Sequence, residues 1–471
     1  MNRFSQKFIS TWANLGPRFL PFADAASAEL PLGRLLRLSL FQVSVGMALV
    51  LLVGTLNRVM IVELRVPASL VSIMVALPII FAPIRALIGF RSDTHKSALG
   101  WRRVPYIWMG TMVQFGGLAI MPFALLVLAG AGNASEAPAW IGLAAAALSF
   151  LLVGAGIHTT QTVGLALACD LAPPKAQPNI VGLIFVMLLV GMIGSALIFG
   201  QLLEVYSPGR LIQVIQGSAV VTIVLNAIAL WKQESREEAR ARALVAREQN
   251  FKESWATFKE GGQAIRRLVA VGFGTMAFSM NDVLLEPYGG ELLNMSVSAT
   301  TVLTATLALG CLFGFSIASK VLSAGYDPFQ MASNGAKVGI PAFILVILAA
   351  PLGSTFIFII GVLMIGFGNG LFSHGTLTAT MRYAPENQSG LALGAWGAVQ
   401  ATAAGIALGV GGVFRDIIAS MASRNYFGEE LNSPATGYCG VYLIEIILLC
   451  ITIAAMANFM RPTKLVNRLH N

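Results

Sequence analysis

Twelve runs of apolar residues, each close to the length that crosses a bilayer, follow one another along almost all of this 471-residue chain. A spanning helix needs about 20 mainly apolar residues, because the hydrocarbon core is roughly 30 Å thick and each helical residue rises about 1.5 Å. The runs lie near 38–63, 67–90, 105–130, 139–170, 178–203 and 211–231, then near 267–288, 297–321, 334–351, 354–381, 389–414 and 438–460. Hydrophobic residues make up 56% of the chain and charged residues only 11%. A water-soluble domain does not hide that much apolar surface, whereas a lipid-facing bundle has no need to. The chain therefore reads as an all-α polytopic membrane protein whose outer surface meets the lipid bilayer.

The net charge of +9 raises nucleic acid as a partner, and the distribution of the charge argues against it. Of the 31 Lys and Arg residues, all but Arg58, Arg65, Arg210, Arg415 and Arg424 fall at the termini or at connections and span ends on the same side as the termini. By the positive-inside rule both termini are cytoplasmic. Residues 1–33 do not resemble a cleavable signal peptide; they read as a cytoplasmic leader. Phe4, Phe8, Ile9, Trp12 and Leu15 share one side of it, which fits an interfacial amphipathic helix and fits an ordinary terminus equally well. Four scattered cysteines show no metal-ligand spacing.

The polar stretch 232–266 divides the spans six and six. Its mixed Ala, Glu and Arg composition suits a solvated cytoplasmic linker. This organisation gives an N-terminal six-helix bundle over 34–231, a C-terminal six-helix bundle over 267–460 and a cytoplasmic tail over 461–471. The halves resemble each other. Gly154 and Gly156, followed by Ala172-Pro173, match Gly366 and Gly368, followed by Ala384-Pro385, at a constant offset of 212; Asn57-Arg58-Val59 matches Asn281-Asp282-Val283. Two pseudo-symmetric six-helix bundles are the architecture of the major facilitator fold. The connection after span 2 carries Gly89, Asp93, Gly100, Arg102 and Arg103, which resembles the facilitator loop signature. In that setting Asp93 is expected near a helix N-terminus, with Arg102 and Arg103 at the anionic inner leaflet.

Polar residues inside spans are costly, so each is a candidate site. Arg58 in span 1 and Asp282 and Glu286 in span 7 lie at similar depth, toward the outer ends. They fit a gate held by ion pairing, and they also fit residues that snorkel to the interface. His158 in span 4 and His374 in span 10 fit core histidines bonded to neighbouring carbonyls; a neutral imidazole also suits an axial ligand to a macrocycle magnesium or a proton relay. Glu445 in span 12 is a buried acid, suited to proton coupling or to an interhelical bond. No phosphate loop, metalloprotease motif or nucleophile elbow is present, and the chain reads as a non-enzyme.

Longer phrases narrow the assignment. Arg18-Phe-Leu-Pro-Phe-Ala-Asp24, the run Gly54–Leu64, the run Gly274–Gly290 and Gly100-Trp-Arg-Arg-Val-Pro-Tyr106 resemble the PucC/LhaA-type bacteriochlorophyll-delivery family of the major facilitator superfamily. The resemblance spans essentially the whole chain. It implies an assembly factor for a purple-bacterial light-harvesting complex, LH1 or LH2, in the inner or intracytoplasmic photosynthetic membrane. Such a factor carries bacteriochlorophyll a to antenna α and β polypeptides during their insertion, with a carotenoid as a second conceivable ligand. Bacteriochlorophyll synthase, the membrane insertion machinery and a second copy of the chain are further implied partners. His158 or His374 then becomes a candidate magnesium ligand. Two other functions stay open: a proton-coupled transporter of a small amphipathic solute, using Glu445 and Asp282, and a scaffold that only holds antenna helices.

Overall fold

The computed structural model describes residues 30–81, 88, 92, 101–130, 138–172, 177–234, 263–383 and 389–459. Gly89, Asp93 and Gly100, nearly all of the leader, most of the linker and the tail lie outside the described residues. Among those described, eleven helices are long and apolar enough to cross a membrane. A twelfth, shorter apolar helix occupies the start of the second span. In chain order they are α1 (Leu32–Glu63), α2 (Ala68–Ile79), α3 (Val104–Leu128), α4 (Ala139–Asp170), α5 (Gln177–Leu202) and α6 (Pro208–Leu230). There follow α7 (Ala264–Leu292), α8 (Val297–Ser323), α9 (Pro328–Ala349), α10 (Thr355–Arg382), α11 (Ser389–Ser423) and α12 (Pro434–Ala457). The second span is seen only in part, because its apolar run continues beyond the described residues.

The chain separates into two compact units. One comprises residues 1–49, 83–195 and 208–247; the other comprises 50–82, 196–207 and 248–471. In the first unit α3 lies along α4, and both α4 and α6 flank the first half of α1. In the second, α10 packs against α8 and α9, while α11 packs against α2, α7 and α12.

The repeated glycines explain part of this packing. A Cβ on Gly156 of α4 would stand 2.5 Å from the Gly110 carbonyl oxygen and the Gln114 amide nitrogen of α3. A Cβ on Gly368 of α10 would stand 2.8 Å from the Gly335 carbonyl oxygen of α9. Each glycine meets the helix preceding its own in its half of the chain, so the sequence repeat marks equivalent close backbone contacts. Without a hydrophobic drive between lipid-bathed helices, such contacts are a main source of attraction.

In α1 and α7 the α geometry is interrupted at matching places in the repeat. In α1 the backbone is π-helical over Val50–Leu56 and again over Val59–Glu63. In α7 a 3₁₀ turn over Met280–Val283 separates Ala264–Ser279 from Leu285–Leu292. Asn57-Arg58 falls between the two π segments, and Asn281-Asp282 lies inside the 3₁₀ turn. Irregular helix at membrane depth persists only where other groups satisfy the freed backbone.

Candidate functional site

The break in α7 has a covalent cause. Residue 287 is proline, so the Val283 carbonyl has no N–H four residues ahead to accept from. The side chain of Asn57 supplies the donor: its Nδ2 donates to the Val283 oxygen at 2.6 Å. Both Asn57 and Val283 are fully buried. Two residues before Asn57, Thr55 shares a hydroxyl–hydroxyl hydrogen bond of 3.2 Å with Thr301.

Glu286 lies against the same stretch of α1. It is 2% exposed, and its Oε1 accepts a hydrogen bond from the Thr304 hydroxyl. Gly54 leaves the room this needs, since a Cβ there would run into Glu286 Oε1 and come within 2.9 Å of Thr304 Oγ1. Among the described residues Glu286 Oε2 has no hydrogen-bond partner.

Arg58 does not ion-pair with Asp282 or Glu286. Among the described residues its ion pair is with Glu63, and its Nη2 donates to the Met295 carbonyl at 3.2 Å. Five residues separate Arg58 from Glu63. In an α-helix that spacing points the two side chains apart, and pairs form at three or four. A π-helical turn brings i and i+5 together, as the Leu64 N–H donating to the Val59 carbonyl at 3.0 Å shows. Tyr206, in the connection between α5 and α6, feels the same pair. Burial raises its phenol above the ordinary value; Glu63 raises it further, and Arg58 opposes both.

Asp282 is partly exposed and has neither a hydrogen bond nor an ion pair among the described residues. Glu445 is fully buried, and its Oε1 accepts from both the backbone N–H and the Nδ2 of Asn281, at 2.6 and 3.1 Å. The second unit thus gathers three carboxyls around the interruption of α7, two of them bonded to neutral partners. Such a group accepts or releases a proton without breaking an ion pair. A second cluster ties α7 to α11 and α12: Arg415 and the Tyr438 hydroxyl both donate to Glu291 Oε2, at 2.6 and 2.8 Å. Asp416 accepts from Arg415 and from the Ser69 N–H at the start of α2, at 3.0 and 2.7 Å.

The two histidines differ. His374 is buried, with its ring centred 4.2 Å from that of Phe315. His158 stands in the first unit on a partly exposed stripe of α4 that includes Leu151, Ala155, Gln161 and Thr162, away from the Gly156 face packed on α3. No cluster of three or more metal-ligating side chains occurs among the described residues.

Of the loop signature, the described members turn inward. Arg102 Nη2 and Arg103 Nε donate to Asp170 at 2.7 and 3.0 Å, and Arg103 Nη1 donates to Ser92 at 2.6 Å. Arg103 is buried in this network. The carboxylate at the N-terminus of α3 belongs to Glu234. It accepts from the backbone N–H groups of Arg102, Arg103 and Val104 at 2.8 to 3.0 Å. Glu63, Glu234 and Glu291 were all missed by sequence patterns, because their partners lie at π spacing or far away in the chain.

Comparison with known proteins agrees with this architecture. The sequence profile of the family described as PUCC protein matches residues 55–464. A protein named PucC from Rhodovulum sulfidophilum is 64% identical over 420 residues, which are 89% of this chain and 92% of that protein. Another PucC, from Cereibacter sphaeroides, is 54% identical over 469 residues and covers both chains completely. Among solved structures, a D-xylose–proton symporter superposes with a TM-score of 0.70 at 14% identity, covering 91% of this chain and 98% of that one. At that identity the likeness concerns the fold alone, which is that of the major facilitator transporters.

Proposed function

The chain belongs to the PUCC protein family, and from that premise we propose that it is a light-harvesting assembly factor of purple bacteria. On this reading it sits in the inner or intracytoplasmic photosynthetic membrane with both termini cytoplasmic. It holds bacteriochlorophyll a and passes it to antenna α and β polypeptides of LH1 or LH2 as they insert. Family membership across residues 55–464 carries the proposal. The orientation is supported by the uneven Lys and Arg distribution.

His158 is the better fitted of the two candidate magnesium ligands. It lies on an accessible stripe of α4, whereas His374 is buried beneath the Phe315 ring. A flat macrocycle needs one open imidazole face and a greasy wall, and the residues flanking His158 on that stripe are mostly small or apolar. The test is the absorption spectrum of protein purified in mild detergent from a phototrophic host. Wild-type protein is expected to carry a bacteriochlorophyll band, the His158→Leu protein to lose most of it and the His374→Leu protein to keep it. Colourless wild-type protein, from cells making normal antenna, would overturn the pigment reading.

A second reading has its own observation. Asp282 at a helix break, beside neutral-bonded Glu286 and Glu445, is an arrangement that couples proton movement to transport in a facilitator fold. Solute flux into vesicles that follows an imposed pH gradient and vanishes in Asp282→Asn supports it; flux indifferent to the gradient dismisses it.

A further inference from the structure

Where α1 and α3 begin and α6 ends, the first unit holds a cavity of about 690 Å³. Its walls include Trp101, Trp108, Leu230 and Trp231, and its rim carries Arg34 and Lys232. Odd-numbered spans start and even-numbered spans finish on the same side of a membrane, so the cavity opens at one bilayer surface. By the distribution of Lys and Arg that surface is the basic one.

Its lining is uncommon in two ways. Trp108 is 40% exposed and Trp231 is 65% exposed, so large amphipathic rings stand open where acyl chains meet headgroups. Among the described residues neither cation on the rim forms an ion pair, although Glu234 also lines the cavity. Among the described residues the Arg34 guanidinium bonds only neutral oxygens, the Gln233 side-chain oxygen at 3.1 Å and the Gln233 carbonyl at 2.7 Å. Lys232 is exposed, has no hydrogen-bond or ion-pair partner among the described residues and is held in the left-handed backbone region at φ +54°. The nearby acid, Glu234, is already committed: both its oxygens accept from N–H groups at the N-terminus of α3, which offsets its charge.

We propose that this cavity seats one anionic membrane lipid. The phosphate would sit between Arg34 and Lys232, and an acyl chain would run down along Trp101, Trp108 and Trp231. Two cations without an ion pair among the described residues, above an aromatic, apolar wall, match a headgroup of net negative charge and reject a zwitterionic one, whose ammonium meets the same cations. The inference is independent of the pigment reading, because none of these residues belongs to the His158 stripe.

Native mass spectrometry of detergent-purified protein titrated with dioleoyl phosphatidylglycerol or dioleoyl phosphatidylcholine tests it. Wild-type protein is expected to bind the anionic lipid about tenfold more tightly. Lys232→Gln should cost about fivefold of that preference, since one cation near a membrane surface is worth roughly a factor of that size. Trp231→Ala should weaken the binding of the anionic lipid as well. Both residues are exposed, so unfolding temperatures in phosphatidylcholine should match wild type. A second measurement needs no variant: brominated phosphatidylglycerol should quench tryptophan emission more strongly than brominated phosphatidylcholine. Equal binding or equal quenching by the two lipids would overturn the proposal. So would displacement of the lipid by millimolar inorganic phosphate alone, or loss of bound pigment instead of lipid in the variants.

Discussion

The side-chain amide of Asn57 takes the place of the backbone donor that Pro287 denies to Val283, at 2.6 Å. A residue of α1 thereby completes the hydrogen bonding of α7, and the helix break becomes affordable in a medium without water. Asn57→Leu keeps the volume and removes the donor, leaving a buried carbonyl unpaired. The expected loss is about 1–3 kcal/mol, read as a lower unfolding temperature in detergent. Pro287→Ala restores an N–H within the helix, so the double variant should recover much of the loss. If Asn57→Leu unfolds at the wild-type temperature, the bond contributes nothing.

Gly54 is required for space. Gly54→Ala should drive Glu286 and Thr304 apart at a cost of about 1–3 kcal/mol, the usual range for overpacking. Trimming the obstacle with Glu286→Ala should make the same alanine tolerable. Thermal unfolding of the two single variants and the double variant measures the coupling; simple additivity would mean that Gly54 and Glu286 do not meet.

Arg58→Ala strips Glu63 of its cation and leaves the Met295 carbonyl without its side-chain donor. Antenna assembly in a host carrying this variant is expected to fall severalfold. The compensating change should be Glu63→Gln, which removes the stranded charge, and not Asp282→Asn. Recovery through Asp282→Asn, with none through Glu63→Gln, would restore the pairing that the span positions alone suggested.

Tyr206 reports on the same pair through pH. Its phenol is raised by burial first and by Glu63 second, so the folded protein holds that proton more tightly than the unfolded chain does. Stability from this group is complete below the unfolded tyrosine value of about 10 and is lost as pH rises through the higher folded value. Tyr206→Phe should flatten that part of the stability profile. In Arg58→Ala the phenol should titrate at still higher pH, by ultraviolet difference spectroscopy, because its favourable neighbour is gone.

Glu234, just past the end of α6, closes the start of α3. Glu234→Ala should cost about 0.5–2 kcal/mol and speed amide exchange at Val104, whereas Glu234→Gln keeps an acceptor and should cost less. Unchanged exchange at Val104 in the alanine variant would show that water replaces the carboxylate without penalty.

Membrane class, the twelve apolar segments, the internal repeat and the family were all legible in the chain itself. Each rests on information that is local or summed over a window. Hydropathy adds along some 20 residues, and a glycine pair such as Gly154-Gly156 repeats at Gly366-Gly368 without reference to any neighbour. Arg58, Asp282, Glu286 and Glu445 stood out as candidates too, since a polar group inside a span is conspicuous wherever it points. Their partners were not visible. Arg58 reaches Glu63 only because α1 loosens to a π-helix, Asn57 meets Val283 across 226 residues of chain, and Glu234 meets Val104 across 130. Side-chain pairing depends on helix rotation and depth, which packing sets to within a fraction of a turn. The apolar pattern of a span that is greasy on every side leaves that rotation undetermined.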